Sequence, residues 1–197
     1  MSPITHGLLS WAIADRLRLQ PRDRNLVVWA GVLADIDGLG LVGDIVVDVV
    51  KGYSPLWYFQ YHHVLLHGIT GAILIASLLS LCGRRKQLVF AYAILMVHLH
   101  LVGDLLGSRG PTPADIWPIY YLWPWLPNFT MAWSGQWRLD GWQNASLSVF
   151  LFGLVLFSAI RRGYSPIIML SARADARFVA VLRQWWLRMG QQIQHPL

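Results

Sequence analysis

From Gln87 to Leu106 the chain runs for 20 residues with one formal charge, Asp104, and this stretch limits its possible folds more than any other. As a helix it is about 30 Å long, the thickness of a bilayer's hydrocarbon core. A carboxylate at the centre of a membrane helix costs roughly 2.5–3.5 kcal/mol to insert, so Asp104 needs a partner. His100 is well placed to be one. Four residues turn a helix by about 400°, which sets the imidazole and the carboxylate on one face. A His–Asp pair satisfying itself in a core would give the same spacing. The otherwise apolar surroundings favour a functional pair.

The remaining sequence has the same character. Of 197 residues, 55% are hydrophobic and 13% charged, where a soluble domain carries about 25% charged residues. The length suits one domain with a real core. There are fourteen Arg, two Lys, ten Asp and no Glu, for a net charge of +6. These charges sit at the edges of apolar runs rather than in a stripe beside polar groups. That argues against a nucleic-acid partner and for membrane lipid. Cys82 is the single cysteine, which excludes an internal disulfide and a Cys-based zinc site. No basic segment precedes an apolar run at the N-terminus, so no cleavable signal peptide is expected.

The predicted fold is all-α: a membrane-embedded or membrane-associated helical bundle with short hairpin connections and a C-terminal amphipathic helix. The pattern predicts helices over 5–19 (capped by Thr5), 25–35, 63–81, 87–106 and 144–160, with a short one near 42–50. Residues 171–192 form a basic amphipathic helix with Phe178, Leu182, Trp185 and Met189 on one stripe. Its Arg173, Arg177, Arg183 and Arg188 suit an anionic membrane surface. The expected division is therefore a helical metal-site domain, 1–163, followed by the amphipathic helix and tail, 164–197. Within the first domain, residues 107–142 hold much of the Pro and Trp and read as irregular. Trp117, Trp123, Trp125, Trp133, Trp137 and Trp142 are expected to form an interfacial belt rather than a cover over a site.

Antiparallel helices would sort the polar residues. The basic turns 16–24, 84–86 and 161–162 gather at one end, while His6, Asp35, Asp37, His62, His63, His67, His100 and Asp104 gather at the other. Imidazole and carboxylate together suit zinc and similar divalent ions. His62, His63 and His67 offer three imidazoles within six residues. His63 and His67 share a face if the segment is helical, and His62 can join His67 only from just before the helix. Asp35 and Asp37 diverge on a regular helix, but a helix end can turn both to one site. Asp35, next to the rigid helix body, is expected on the metal, and Asp37, beside Gly38, is expected to take a proton. The set is large enough for two ions, and at most three. His98 points away from His100, towards a core or interhelical hydrogen bond, and His195 lies in the tail, expected to be solvated.

The ordered set Thr5-His6-Gly7-Leu8-Leu9, Leu33-Ala34-Asp35-Ile36-Asp37, His62 with His67, and His100 with Asp104 resembles the YdjM-like family of membrane-bound metal-dependent hydrolases. The resemblance covers roughly residues 3–125 and continues through Ser108-Arg109-Gly110 and Trp117-Pro118. It implies that His6, Asp35, Asp37, His62, His67, His100 and Asp104 are the metal-site residues. A more distant similarity to zinc-dependent phospholipase C and the S1/P1 nucleases implies hydrolysis of a phosphoester, lipid headgroups among them. Many family members have His-Arg where this chain has His62-His63. His63 or Arg109 would then hold the substrate phosphate. The phospholipase-type enzymes also use a Glu ligand, and this chain has no Glu.

The expected protein is a metal-dependent hydrolase in the membrane. The positive-inside rule puts its basic turns in the cytoplasm and its metal site on the other face. Two other readings use the same residues. A divalent-metal binder or transporter would need a polar path across the membrane, whereas the ligands lie at one end. A haem protein would need paired His but not the Asp residues.

Overall fold

The computed structural model describes residues 1–194, and His195 lies outside them. The regular elements among the described residues are all helices, with isolated bridges but no strand. They form two compact units, divided between Ser148 and Val149.

In the first unit, helix α1 spans Pro3–Ala14 and α2 spans Pro21–Leu33. Both start earlier than predicted because proline opens each one. Its missing N–H costs nothing in a first turn, so Pro21 begins α2 rather than ending α1. Ser2, not Thr5, caps α1 by accepting from the Thr5 amide at 3.2 Å. The Thr5 hydroxyl turns instead to Ser148, at 2.7 Å. A 3-10 segment, Ala34–Leu39, follows α2 directly and leads into α3, Gly40–Lys51. A short α4 covers Trp57–Tyr61, α5 covers Ile69–Cys82, and α6 covers Lys86–Gly107.

The core lies where α2 and α6 meet, flanked by α1 and α5. Val27, Ala30, Ala72, Ala76, Val89, Ala93 and Met96 are buried there. Small residues let the helices close up. A Cβ at Gly31 would lie 1.8 Å from Ser10 Oγ of α1. At the basic end the turn after α5 docks on α2, as the Asp23 carboxylate accepts the amides of Arg84 at 2.7 Å and Arg85 at 3.1 Å. Arg24 lies over the Trp11 ring. Turns 16–24 and 84–86 therefore meet, and the ligand-rich ends of α1, α2 and α6 lie at the opposite end.

In the second unit, the later part of α7 (Trp142–Arg162) is followed by a 3-10 turn and by α8, Ala172–Gln194. Asp175 accepts the Ser165 amide at 2.9 Å, and Arg183 donates to the Ile160 carbonyl at 2.9 Å. Val181, Trp185, Trp186, Leu187 and Met189 of α8 are exposed. Three described stretches are long and apolar enough to cross a membrane: Pro21–Lys51, Lys86–Gly107 and Trp142–Arg162. Helix α5 is apolar, but at 14 residues it is too short for this.

Candidate metal centre

Two fixed tautomers face each other at the centre of the site. His100, buried on α6, donates Nδ1–H to the Gly31 carbonyl of α2 at 3.0 Å. His67, in the loop before α5, donates Nδ1–H to Asp37 Oδ2 at 3.1 Å. Each neutral ring therefore presents a bare Nε2, and the two Nε2 atoms lie 3.1 Å apart. The carboxylates close in on the same point. Asp104 Oδ2 is 3.0 Å from His100 Nε2 and 3.4 Å from His67 Nε2. Asp35 Oδ1 is 3.6 Å and 3.8 Å from the same two atoms. Four lone pairs directed at one point repel each other unless a proton or a cation sits among them. The metal-free chain meets part of that demand at His67. Burial alone would lower its pKa, but contacts with Asp104, Asp35 and Asp37 hold it well above the usual histidine range. Asp35, His67, His100 and Asp104 thus form a group able to hold a metal ion.

The surrounding side chains aim these four. Asp104 Oδ1 accepts from Ser108 Oγ at 2.9 Å, from His6 Nε2 at 3.0 Å and from the Met1 amino group. His6 stacks on His100 with centroids 3.7 Å apart. A Cβ at Gly103 would lie 3.0 Å from the His6 ring, so the glycine makes room for that stack. Asp37 accepts from His62 Nδ1 at 2.7 Å and from the Leu66 amide at 3.2 Å, in addition to His67. Carboxylates and carbonyls behind metal-ligating histidines fix the tautomer and the ring orientation in this way.

Asp35 and Asp37, both on the 3-10 segment, meet opposite nitrogens of the His67 ring: Asp35 Oδ1 lies 3.8 Å from Nε2 and Asp37 Oδ2 lies 3.1 Å from Nδ1. Asp35 joins the four-residue group, while both oxygens of Asp37 are taken up in orienting the His62–His67 loop. Asp37 lies outside the four-residue group, its oxygens bonded to His62, His67 and the Leu66 amide. His6 likewise lies behind Asp104 rather than in the group.

The His62–His67 segment is not helical, so His63 and His67 do not share a helix face. His63 has φ 67°, a left-handed backbone that is uncommon outside glycine. Its buried Nδ1 has no hydrogen-bond partner. Burial, reinforced by the neighbouring His67, pushes its pKa well below the usual range, so the ring is neutral. His62, His63 and His67 form a second group of possible ligands. It shares His67 with the first, and His67 Nδ1 is already bonded to Asp37.

A cavity of about 370 Å³ opens beside these residues, lined by Asp35, His62 and His63 and walled by Leu39, Tyr58 and Trp117. Tyr58 stacks on His62 at 4.7 Å, and Trp117 lies edge-on to His63 at 4.9 Å. Trp117 thus covers the site, while Trp125, Trp133 and Trp142 are exposed. Gln136, fully buried, accepts the Trp117 amide at 3.0 Å and donates to the Asp104 carbonyl at 3.0 Å. It ties the irregular segment to α6. Arg109 is outside this cavity, lining a separate one with Arg138. His98 donates from Nδ1 to the Ile94 carbonyl and lies 3.0 Å from the Tyr121 hydroxyl through Nε2, a structural arrangement. Sequence reasoning missed Ser108, Gln136 and Tyr58. Only Ser108 carried a signal, since it follows Asp104 by four residues, just past the end of α6.

The model of the YdjM inner membrane protein family matches residues 1–172. The chain belongs to that family. The match reaches past the motifs that carried the resemblance and includes α7. Membership agrees with the three apolar stretches that could cross a membrane. No curated protein and no solved structure matches the chain.

Proposed function

We propose that this member of the family is a membrane-bound metal-dependent hydrolase of phosphoesters, with an ion held by Asp35, His67, His100 and Asp104. The observation that carries the metal reading is the convergence of two bare Nε2 atoms and two carboxylate oxygens, backed by Asp37 and the Gly31 carbonyl. Mixed nitrogen and oxygen ligands fit zinc best, with other imidazole-binding divalent ions next. A second ion would have to draw on His62 and His63. When bound, a divalent ion supplies Lewis acidity, activating water and polarising an ester oxygen.

The chain's own groups complete the chemistry. Asp35 lines the cavity, and its Oδ2 has no hydrogen-bond partner, so it can take the proton of attacking water. Neutral His63 can meet an ester oxygen through its unpartnered Nδ1. Tyr58 keeps its proton, since burial and the nearby carboxylates of Asp35, Asp104 and Asp37 raise its pKa. Trp117 narrows access for water. The phosphoester reading itself rests on the likeness in residue order to zinc-dependent phospholipase C and the S1/P1 nucleases.

A binder without catalysis would use the same ligands. The cavity beside the cluster favours an enzyme, and Asp23 at the far end is occupied by backbone amides rather than lining a polar path. By the positive-inside rule the meeting turns 16–24 and 84–86 face the cytoplasm and the metal centre faces outward. Metal analysis of purified protein and a phosphoester screen test the reading together. We expect at least one equivalent of divalent ion and turnover that chelation abolishes. Ion-free protein, or turnover indifferent to chelator, would overturn it.

A further inference from the structure

Helix α3 turns the wrong way for a soluble protein. Leu39, Val42, Ile45, Val46, Val49 and Val50 recur at three- and four-residue spacing and are all more than half exposed. The helix cannot roll to bury them. Its one buried side chain, Asp44, accepts the amides of Trp57 and Tyr58 at 2.8 and 2.9 Å and so locks α3 to the start of α4. The apolar stripe therefore faces outward by construction. It belongs to Pro21–Lys51, one of the stretches apolar enough to cross a membrane.

The stripe also leads somewhere. Leu39, its first residue, is 61% exposed and lines the cavity at the metal centre together with Gly38. Leu39 thus belongs both to the outward stripe of α3 and to the wall of the cavity that holds Asp35 and His63. Leu139, Tyr58 and Trp117 continue it inside. No Lys or Arg lines the cavity among the described residues. The one cationic group among the described lining residues, the Met1 amino group, is already paired with Asp104 and Ser108, so a small water-soluble phosphate ester with several negative charges would find no free guanidinium or ammonium there to bind it. An alkyl chain would find continuous apolar contact.

From this continuity we infer that the cavity takes its substrate from the bilayer: an amphiphile whose polar head reaches Asp35 and His63 and whose alkyl chain leaves past Leu39 along α3. The ester in the head rests on the hydrolase reading given above, but the route does not. Leu39 and Val42 are then specificity residues, favouring ligands that carry a chain. Trp117 packs against the segment where head and chain join.

The test uses the full chain in nanodiscs of phosphatidylethanolamine and phosphatidylglycerol, doped with phosphatidylglycerol bearing a diazirine in one acyl chain. After photolysis, mass spectrometry should place adducts on Leu39, Val42 and Trp117. The double variant Leu39→Arg/Val42→Arg should lower the Trp117 adduct about tenfold or more, the loss expected when two apolar contacts are replaced by charge. A second variant, Val49→Arg/Val50→Arg, alters only exposed positions far along the stripe and should lower adducts on α3 without unfolding the protein. Adducts on the outward residues Phe150 and Phe152 with none on Leu39 or Trp117 would overturn the route. Labelled Trp117 in a protein that hydrolyses no phosphoester supports the route and overturns the hydrolase reading. Turnover of a water-soluble ester with Trp117 unlabelled does the reverse.

Discussion

The two ends of the α1–α2–α5–α6 bundle each bury a carboxylate, and they use it differently. At the basic end Asp23 is fully buried and accepts two backbone amides from the turn before α6. At the other end Asp104 is as deeply buried but turns one oxygen to hydrogen-bond donors and the other to bare imidazole nitrogens. Asp44 follows the Asp23 pattern with two backbone amides, and Asp175 accepts the amide and the hydroxyl of Ser165. Burial of an acid is therefore a poor mark of function in this molecule. What distinguishes the metal end is a carboxylate oxygen facing two imidazole nitrogens rather than backbone amides.

The sharpest break between the two ends should come from the ligands. Asp104→Ala and His100→Ala should each drop the metal content of purified protein to background. Asp35→Asn should lower phosphoester turnover about 10²–10⁴-fold as it loses its proton acceptor. Full metal occupancy in the first two variants would erase the distinction. Asp37→Asn should come next. It keeps the ligand group but loosens His67 and His62, weakening metal affinity about 10–100-fold with stoichiometry preserved at saturation. Titration with a competing chelator measures this, and an unchanged affinity would remove Asp37 from the site's support.

Asp23→Ala tests the other end. It removes the acceptor of the Arg84 and Arg85 amides, two hydrogen bonds worth about 0.5–1.5 kcal/mol each. The melting temperature in detergent should fall while metal stoichiometry stays the same. Loss of metal in this variant would mean that the two ends are not independent. The smallest effect belongs to Ser108→Ala, which deletes one hydrogen bond to Asp104, worth about 0.5–1.5 kcal/mol. Metal affinity should fall only a few-fold, read by the same chelator titration.

Helix α6 was legible almost to the residue, since a long apolar run bounded by basic residues leaves little choice of ends. The pairing of His100 with Asp104 followed from helical spacing alone. The His62–His67 loop was not legible. Its apolar Val64, Leu65 and Leu66 read as helix, and only the long-range hold of Asp37 and the left-handed His63 make it a loop. The separate roles of Asp35 and Asp37 were hidden for a related reason. They depend on which nitrogen of the distant His67 ring each carboxylate meets, which propensity does not announce. Gln136 gave no signal at all, since its three acceptors and its donor come from backbone brought together by the fold.

The four ligating residues lie at 35, 67, 100 and 104, on three different elements. A nascent chain emerging from the ribosome meets them in that order, and half of the set arrives last, on α6. Until α6 has entered the bilayer and packed against α2, His100 lacks the Gly31 carbonyl that fixes its tautomer. If this group holds a metal as proposed, its loading would wait on the arrival of α6, and a bound ion would report that α2 and α6 have packed together.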